Sequence, residues 1–475
     1  MTLAIIIIYL VALLFTSWYA TKLQKENSTK SFLFADQSLN VGLVGIFVAG
    51  LAIGGTSTTG VAQYAYDAGL SGAWYDIAWA IGALIMAFFF AGRYRKAGFK
   101  TINGMWNQLF GKGFQTLGLI IQLVTQLTII ALQVIAMATI LHAVIPTISY
   151  ELGLIIGVAL LCFIAIVGGM WSTALTNVIN ICLIYIGLIV GAIVAIKAYG
   201  GFSGITATLP AGKSGDGSHW WNFWTGMGTA AIGAWVVTMA LQAAPSQGTI
   251  QVALSAKDEK TAKKGFILAA ALMIPAGLFS AVFGIIAAGS FPDINSKLAM
   301  STVIATLPPF VAGLLLAGVM AACVSTASGL LVSLSNMTVN DLILRFFVKD
   351  MPDKKQVMWS RIIIAIYSVV AYIIATQVSS ILGAIMGVLA LWAPYTILLT
   401  GIFYAPKTLK KSSGWVVFGL GIISYILCLI DKAKFALAGQ PIYTVFLVSL
   451  VAYILCALID KKVCFEGEYV YKEVK

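Results

Sequence analysis

Long apolar runs alternate with short polar or basic stretches along the whole chain. A helix rises 1.5 Å per residue, so about 20 apolar residues suffice to cross the hydrocarbon core of a bilayer. The pattern predicts thirteen spans: 2–20, 41–66, 70–92, 113–143, 152–170, 173–198, 221–247, 265–290, 307–337, 358–376, 379–405, 414–430 and 441–460. The longest connections, 199–220 and 338–357, are too short to hold a soluble domain. The expected fold class is therefore all-α and polytopic, with residues 1–475 forming one transmembrane domain. The first run precedes Lys22, Lys25 and Lys30. A signal peptide carries its charge before the apolar run and a small-residue cleavage site after it. Span one is accordingly expected to be retained, with its start outside.

Composition sharpens this picture. Hydrophobic residues make up 60% of the 475 and charged residues only 10%, against about 25% charged in an average soluble protein. Too little charge is present to cover a soluble surface. The net charge of +12 would suggest a nucleic-acid partner in a soluble protein, but in a membrane protein it reports orientation, because Lys and Arg gather in cytoplasmic loops. Of the 29 Lys and Arg, only Lys197, Lys213, Lys297, Lys432 and Lys434 fall on the side opposite to the rest. That distribution fits an odd number of spans with the N-terminus outside and the C-terminus cytoplasmic. The expected location is the cell (inner) membrane, with the lipid bilayer as partner and no nucleic acid. The six cysteines lie in or beside apolar runs without paired ligand spacing, and read as small packing residues. His142 and His219 fall near outer ends and are too scattered for a metal site.

Polar residues inside the spans mark candidate chemistry. In the second span, Gly54-Gly55 precedes Thr56-Ser57-Thr58-Thr59. Adjacent glycines weaken a helix by about 1 kcal/mol each relative to alanine. A break there frees carbonyls, which a bilayer tolerates only where they line a cavity or bind something. The other reading is a close helix contact through small residues. In the ninth span, Ser325-Thr326 supplies adjacent hydroxyls, which are hard oxygen ligands for a small cation; such hydroxyls also bond back to their own helix. Asp76 is the only carboxylate placed well inside a predicted span, and no Lys or Arg lies at comparable depth. An intramembrane acid of this kind is by default a functional hypothesis, the alternative being a structural acid near the outer interface. Gln122, Gln126 and Gln133 lie on roughly one face of the fourth span, and Gln242 and Gln247 flank Pro245 in the seventh, where a second break is expected. Trp220, Trp221 and Trp224 in the outer loop read as an interfacial belt, and Ser214 to Ser218 as a turn.

Two interrupted spans five helices apart point to an inverted-repeat transporter. At these residues the chain resembles the sodium/solute symporters, the family of sodium/proline, sodium/pantothenate and sodium/glucose carriers. The motifs that carry the resemblance are the glycine-broken second span with Tyr66-Asp67-Ala68-Gly69, Gly168-Gly169-Met170-Trp171 leading to Thr176-Asn177-Val178, Ile250 to Lys257, and Ala322-Cys323-Val324-Ser325-Thr326. The resemblance implies a leucine-transporter-like core of two inverted five-helix repeats, 41–198 and 221–405, preceded by one extra helix (2–20) and followed by two (414–460). It implies a sodium site of carbonyls from Gly50, Ile53 and Ala322 and hydroxyls from Ser325 and Thr326. Gly50 stands where alanine is common. It implies a neighbouring solute site facing Ser57, Thr58, Asp76 and Gln242, with Gln126 and Trp392 as further contacts. Members with a second sodium site carry aspartate where this chain has Asn177, and Gly329 stands where a further hydroxyl could sit, so one sodium per cycle is expected.

Three functions compete on this reading. The first is sodium-coupled import of a small polar organic solute by alternating access. The alternative is a proton-coupled carrier with Asp76 as relay. A membrane enzyme or sensor would need a nucleophile–base or metal constellation, or a soluble output domain, and the sequence offers neither. No cofactor is expected beyond sodium as coupling ion. The unpaired acid favours a zwitterion or a polyhydroxylated solute, amino acid, sugar or similar; the oligomeric state is left open.

Overall fold

Backbone N–H and C=O groups that face hydrocarbon must find partners within their own segment, so each apolar run becomes a helix. The computed structural model describes residues 1–22, 28–145, 147–211, 217–348, 350–377 and 388–465. Lys25, Lys213, Lys349, Lys472, Lys475, the Ser214–Asp216 part of the turn and the opening of the predicted span 379–405 lie outside the described residues. The principal helices are α1 (Thr2–Thr21), α2 (Val41–Ala52), α3 (Val61–Ala68), α4 (Trp74–Ile85), α5 (Lys112–Val144), α6 (Tyr150–Ala198), α7 (Thr229–Ala243), α8 (Gln247–Ser255), α9 (Glu259–Ser290), α10 (Pro309–Met337), α11 (Asp353–Gln377), α12 (Trp392–Tyr404), α13 (Ser413–Ile430) and α14 (Pro441–Ile459). Among the described residues there is no β-strand, only isolated bridges joining Leu39 to Ala256 and Lys410 to Val463.

Both expected breaks are present. α2 ends at Ala52, Ile53 leaves helical geometry at ψ 80°, and a wider turn over Thr56–Gly60 leads into α3. α7 ends at Ala243 and α8 resumes at Gln247 after an extended Ser246. The fifth and sixth spans are joined in the single long α6, but Gly169 divides it with φ 53° and ψ −135°. That left-handed φ suits glycine. A Cβ at 169 would also lie 2.4 Å from the Phe32 carbonyl oxygen, so the chain crosses there at a distance no side chain permits.

α10 is the central post, buried from Val311 to Met337 with few interruptions. It packs on α6 and α5, while α9 packs on α2, α3 and α4. α1 lies on α6 and α10 and exposes Ile7, Ile8, Val11 and Phe15.

The ninth span departs from expectation at its end. Hydropathy falls at Asn340, Asp341 and Arg345, which places a loop from 338. The structure instead continues α10 in wider turns over Thr338–Phe347. The polar residues there sit on an amphipathic face: Val339 and Asp341 are buried, whereas Phe346 and Phe347 are exposed. The outer tryptophans also differ from a simple belt. Trp221 Nε1 donates to Thr206 Oγ1 at 2.8 Å and Trp220 Nε1 to the Pro210 carbonyl at 3.2 Å, so both fold onto the loop. Only Trp224 is well exposed, with its ring 4.8 Å from that of Trp74.

Candidate functional site

The break after α2 lies against α10. Thr326 Oγ1 donates to the Gly50 carbonyl at 2.9 Å, joining two of the expected cation-binding groups across the bundle. Ser325 Oγ donates to the Ala322 carbonyl at 2.8 Å within α10. Its Cβ lies 3.3 Å from where a Cβ on Gly50 would stand. Ile53 is fully buried at the break itself, its amide bonded to the Ala49 carbonyl at 2.7 Å. Gly50, Ala322, Ser325 and Thr326 are thus in one place, with Ile53 one helical turn on.

The same place explains why residue 50 is glycine. A Cβ there would lie 2.7 Å from Asn177 Nδ2. The Asn177 amide fills the space that alanine would take. Its Nδ2 is buried without a hydrogen-bond partner, and its Oδ1 accepts from Asn180 Nδ2 at 3.4 Å. Tyr9 on α1 donates to Asn180 Oδ1 at 3.0 Å, so the helix outside the expected core reaches this cluster.

The expected solute residues are all buried. Ser57 Oγ donates to Asp76 Oδ1 at 2.5 Å and lies 2.8 Å from the Ala52 carbonyl. Gly277 on α9 packs against the same acid: a Cβ at 277 would meet Asp76 Oδ2 at 2.6 Å. Thr58 differs, because its hydroxyl turns back to the Gly54 carbonyl at 3.1 Å. Gln126 Nε2 donates to Gln122 Oε1, and Gln122 Nε2 in turn to the Pro245 carbonyl at 2.7 Å, which ties α5 to the second break. Gln242 shares a helical face with Trp235 and Met239, the face that meets α4 through Tyr75 and Gly82. Trp392 opens α12, 5.5 Å from the Tyr395 ring.

Among the described residues no hydrogen bond links Asp76, Gln126, Gln242 and Trp392 to one another. They share something else. Asp76 Oδ2, Gln126 Oε1, Gln242 Oε1 and Trp392 Nε1 are each buried with no hydrogen-bond partner. Such atoms are uncommon in folded proteins and call for an explanation. Other buried atoms share this state, among them Trp79 Nε1, Trp106 Nε1 and Asp341 Oδ2, so it leaves these three acceptors and one donor free for a ligand's hydroxyl, amine or carbonyl groups without setting them apart.

Gln133, on the fourth-span face shared with Gln122 and Gln126, acts at the first break, whereas Asp341 carried no mark as a candidate in the sequence. Gln133 Oε1 accepts from the Gly55 amide at 2.6 Å, capping the break. Asp341, assigned to a loop, is a second buried carboxylate: Oδ1 accepts from Thr101 Oγ1 at 2.6 Å and Gln115 Nε2 at 3.1 Å. Beside it, the Lys100 carbonyl accepts from Gln247 Nε2 and Asn336 Nδ2, both at 3.2 Å. Gln251 Nε2 donates to the Leu33 carbonyl at 2.6 Å. This network ties α8 and α10 to the connections at the basic end of the bundle. Replacing Asp341 with alanine leaves the Thr101 hydroxyl and Gln115 amide without their acceptor, at about 1–3 kcal/mol per buried group. The expected result is a lower thermal midpoint for purified Asp341→Ala, with Asp341→Asn intermediate. Midpoints equal to wild type in both would show that the contacts carry no stability.

Comparison with known proteins decides the family. The model described as "Sodium:solute symporter family" matches residues 32–408. The chain belongs to the sodium:solute symporter family. It is a multi-pass membrane protein whose activity is sodium-coupled solute symport, and the proton-coupled alternative is not favoured. The sodium/glucose cotransporter of Vibrio parahaemolyticus is 25% identical over 464 residues, covering 88% of this chain and 83% of that protein. The human high affinity choline transporter 1 is 22% identical over 403 residues, covering 80% of this chain and 68% of that protein. A substrate-bound outward-open Na+-coupled sialic acid symporter superimposes with a TM-score of 0.84 at 17% identity, covering 99% of both chains. The fold of this sodium:solute symporter is accordingly the leucine-transporter-like one of sodium-coupled carriers.

Proposed function

We propose that this symporter imports a small polar organic solute, zwitterionic or polyhydroxylated, with one sodium ion per cycle. Sodium is held by the carbonyls of Gly50, Ile53 and Ala322 and the hydroxyls of Ser325 and Thr326. The solute lies against Ser57, Thr58, Asp76, Gln126, Gln242 and Trp392. The two repeats, 41–198 and 221–405, rock around these sites in the cell membrane, with the N-terminus outside and the C-terminus cytoplasmic. The distribution of Lys and Arg supports that orientation.

One observation carries the cation assignment: the Thr326 hydroxyl on the Gly50 carbonyl at 2.9 Å. Two oxygens, one on α2 and one on α10, share a single hydrogen. A sodium ion replaces that hydrogen bond with oxygen–cation contacts from both, so its binding draws on α2 and α10 together. Hydroxyls and carbonyls are suited to a hard cation without adding net charge. The unpartnered Asp76 Oδ2 supports the solute assignment in the same way. Glucose and sialic acid, named for two of the relatives, are polyhydroxylated and fit that class, whereas choline, a cation with a single hydroxyl, lies outside it.

Asn177 supports the stoichiometry. Its unpartnered Nδ2 is a donor beside Gly50 and offers no charge to a second cation. One charge moving through 100 mV is worth about 2.3 kcal/mol, roughly a fortyfold solute gradient before the sodium gradient is counted. Charge flux against flux of the identified solute in proteoliposomes is expected to give one sodium per uncharged or zwitterionic solute. A ratio near two would assign a second cation to Asn177 and its neighbours. A thermal-shift screen of purified protein against zwitterions and sugars, with and without sodium, identifies the solute first; stabilisation that ignores sodium would sink the coupled reading.

A further inference from the structure

An apolar cleft of about 340 Å³ opens between α4, α7 and α12 toward the basic end of the bundle. Its walls are Ile85 and Phe89 from the continuation of α4, Ala240 and Leu241 from α7, and Thr400 and Tyr404 from α12. The two hydroxyls that could make it polar are used internally. Thr396 Oγ1 donates to the Leu241 carbonyl, and Thr400 Oγ1 to the Thr396 carbonyl at 2.8 Å. The cleft therefore selects hydrocarbon and is separate from the solute residues. Its mouth faces outward, with Phe89 50% and Tyr404 41% exposed.

A cation is fixed at that mouth. The Arg93 guanidinium lies 4.1 Å from the centroid of the Tyr404 ring, and its Nη1 donates to the Phe89 carbonyl at 2.9 Å. Tyr404 Oη donates to the same carbonyl at 2.7 Å. The wider turn over Met86–Phe90 presents this carbonyl, and such turns recur at functional sites. Among the described residues Arg93 meets no carboxylate. One of its five donors is committed, and guanidinium is well matched to a phosphate.

We propose that the cleft is a phospholipid site, taking an acyl chain between α4, α7 and α12 and the phosphate of an anionic headgroup at Arg93. Charge complementarity selects this occupant: an apolar slot capped by one cation without an acidic partner among the described residues, on a molecule whose surroundings are lipid. The slot touches α7 at Ala240 and Leu241, beside Gln242 in the last turn before the break. A lipid tail here packs against a segment that the transport cycle has to move.

The test uses full-length protein in vesicles of phosphatidylcholine and phosphatidylglycerol, the latter carrying a diazirine near the end of one tail. Cross-links are expected on peptides containing residues 85–90 and 396–404, and Thr400→Phe, which fills the slot from its exposed side, is expected to remove them. In native mass spectrometry, retention of phosphatidylglycerol over phosphatidylcholine is expected to be about fivefold in the wild type, the worth of one basic residue at a membrane surface, and to vanish in Arg93→Gln. Cross-links spread evenly over all lipid-facing helices would overturn the acyl slot. Unchanged headgroup preference in Arg93→Gln would overturn the phosphate contact. A covalent dimer formed through Phe89→Cys would make the occupant a second copy of the chain and overturn the proposal outright.

Discussion

Thr326→Ala raises the sodium concentration for half-maximal uptake by about tenfold or more. The substitution removes one oxygen from the cation and leaves the Gly50 carbonyl without the hydrogen bond it accepts at 2.9 Å. Contacts to a charged group are worth about 1.5–3 kcal/mol, and each 1.4 kcal/mol is a factor of about ten. Thr326→Ser keeps the oxygen and is expected to stay within about threefold of wild type, a shift under 1 kcal/mol. Ser325→Ala is expected to act in the same direction with a smaller effect, because the Ser325 hydroxyl already donates within its own helix to Ala322 at 2.8 Å. Sodium titrations of uptake in proteoliposomes check all three. Unchanged sodium dependence in both alanine variants would remove the assignment of this site.

Asp76→Asn weakens solute affinity by about tenfold or more, again on the scale of a lost charge-assisted contact, while sodium binding and abundance stay close to wild type. The carboxylate presents Oδ2 with no partner inside the chain, while Oδ1 takes the Ser57 hydroxyl at 2.5 Å. An amide keeps the shape and the Ser57 contact but exchanges one acceptor for a donor. Selectivity among solute analogues therefore shifts along with affinity, most for those that lose a hydroxyl or amine. Sodium-dependent binding and uptake of the analogue series is the measurement. If Asp76→Asn instead abolishes pH dependence and spares solute exchange, the acid relays protons. If it transports normally in both assays, Asp76 is structural, and the preference for a zwitterionic or polyhydroxylated solute loses its main support.

The membrane itself made much of the fold legible in the sequence. Hydrocarbon thickness fixes the length of a span, and the bilayer forbids unpaired backbone, so length and glycine placement locate helices and their breaks. Gly54-Gly55 and Pro245 marked both interruptions, and Ser325-Thr326 marked the hydroxyl pair that meets Gly50. Asp341 was missed because average hydropathy falls where α10 becomes one-sided, and an average cannot see a face. The Lys100 acceptor was invisible for a different reason: a main-chain carbonyl has no residue signature. The match between Gly50 and Asn177 joins residues far apart in the chain, and so emerges only when α2 and α6 are brought together.

With Asp76 as the proposed solute contact, Gly277 would give this architecture a route to new substrates. Ser57 holds one oxygen of the acid at 76, but the other is bordered by a residue with no side chain at all. A methyl there would meet Asp76 Oδ2 at 2.6 Å, Asp76 Cβ at 2.9 Å and the Ala73 carbonyl at 3.1 Å, so it presses on both the acid and the helix that carries it. Alanine or serine at 277 would redirect Asp76, and none of the atoms such a side chain first meets belongs to the cation cluster. Populations selected for growth on a poorly transported solute are therefore expected to acquire changes at 277 before changes at 76. The first retunes recognition by small steps, and the second discards it.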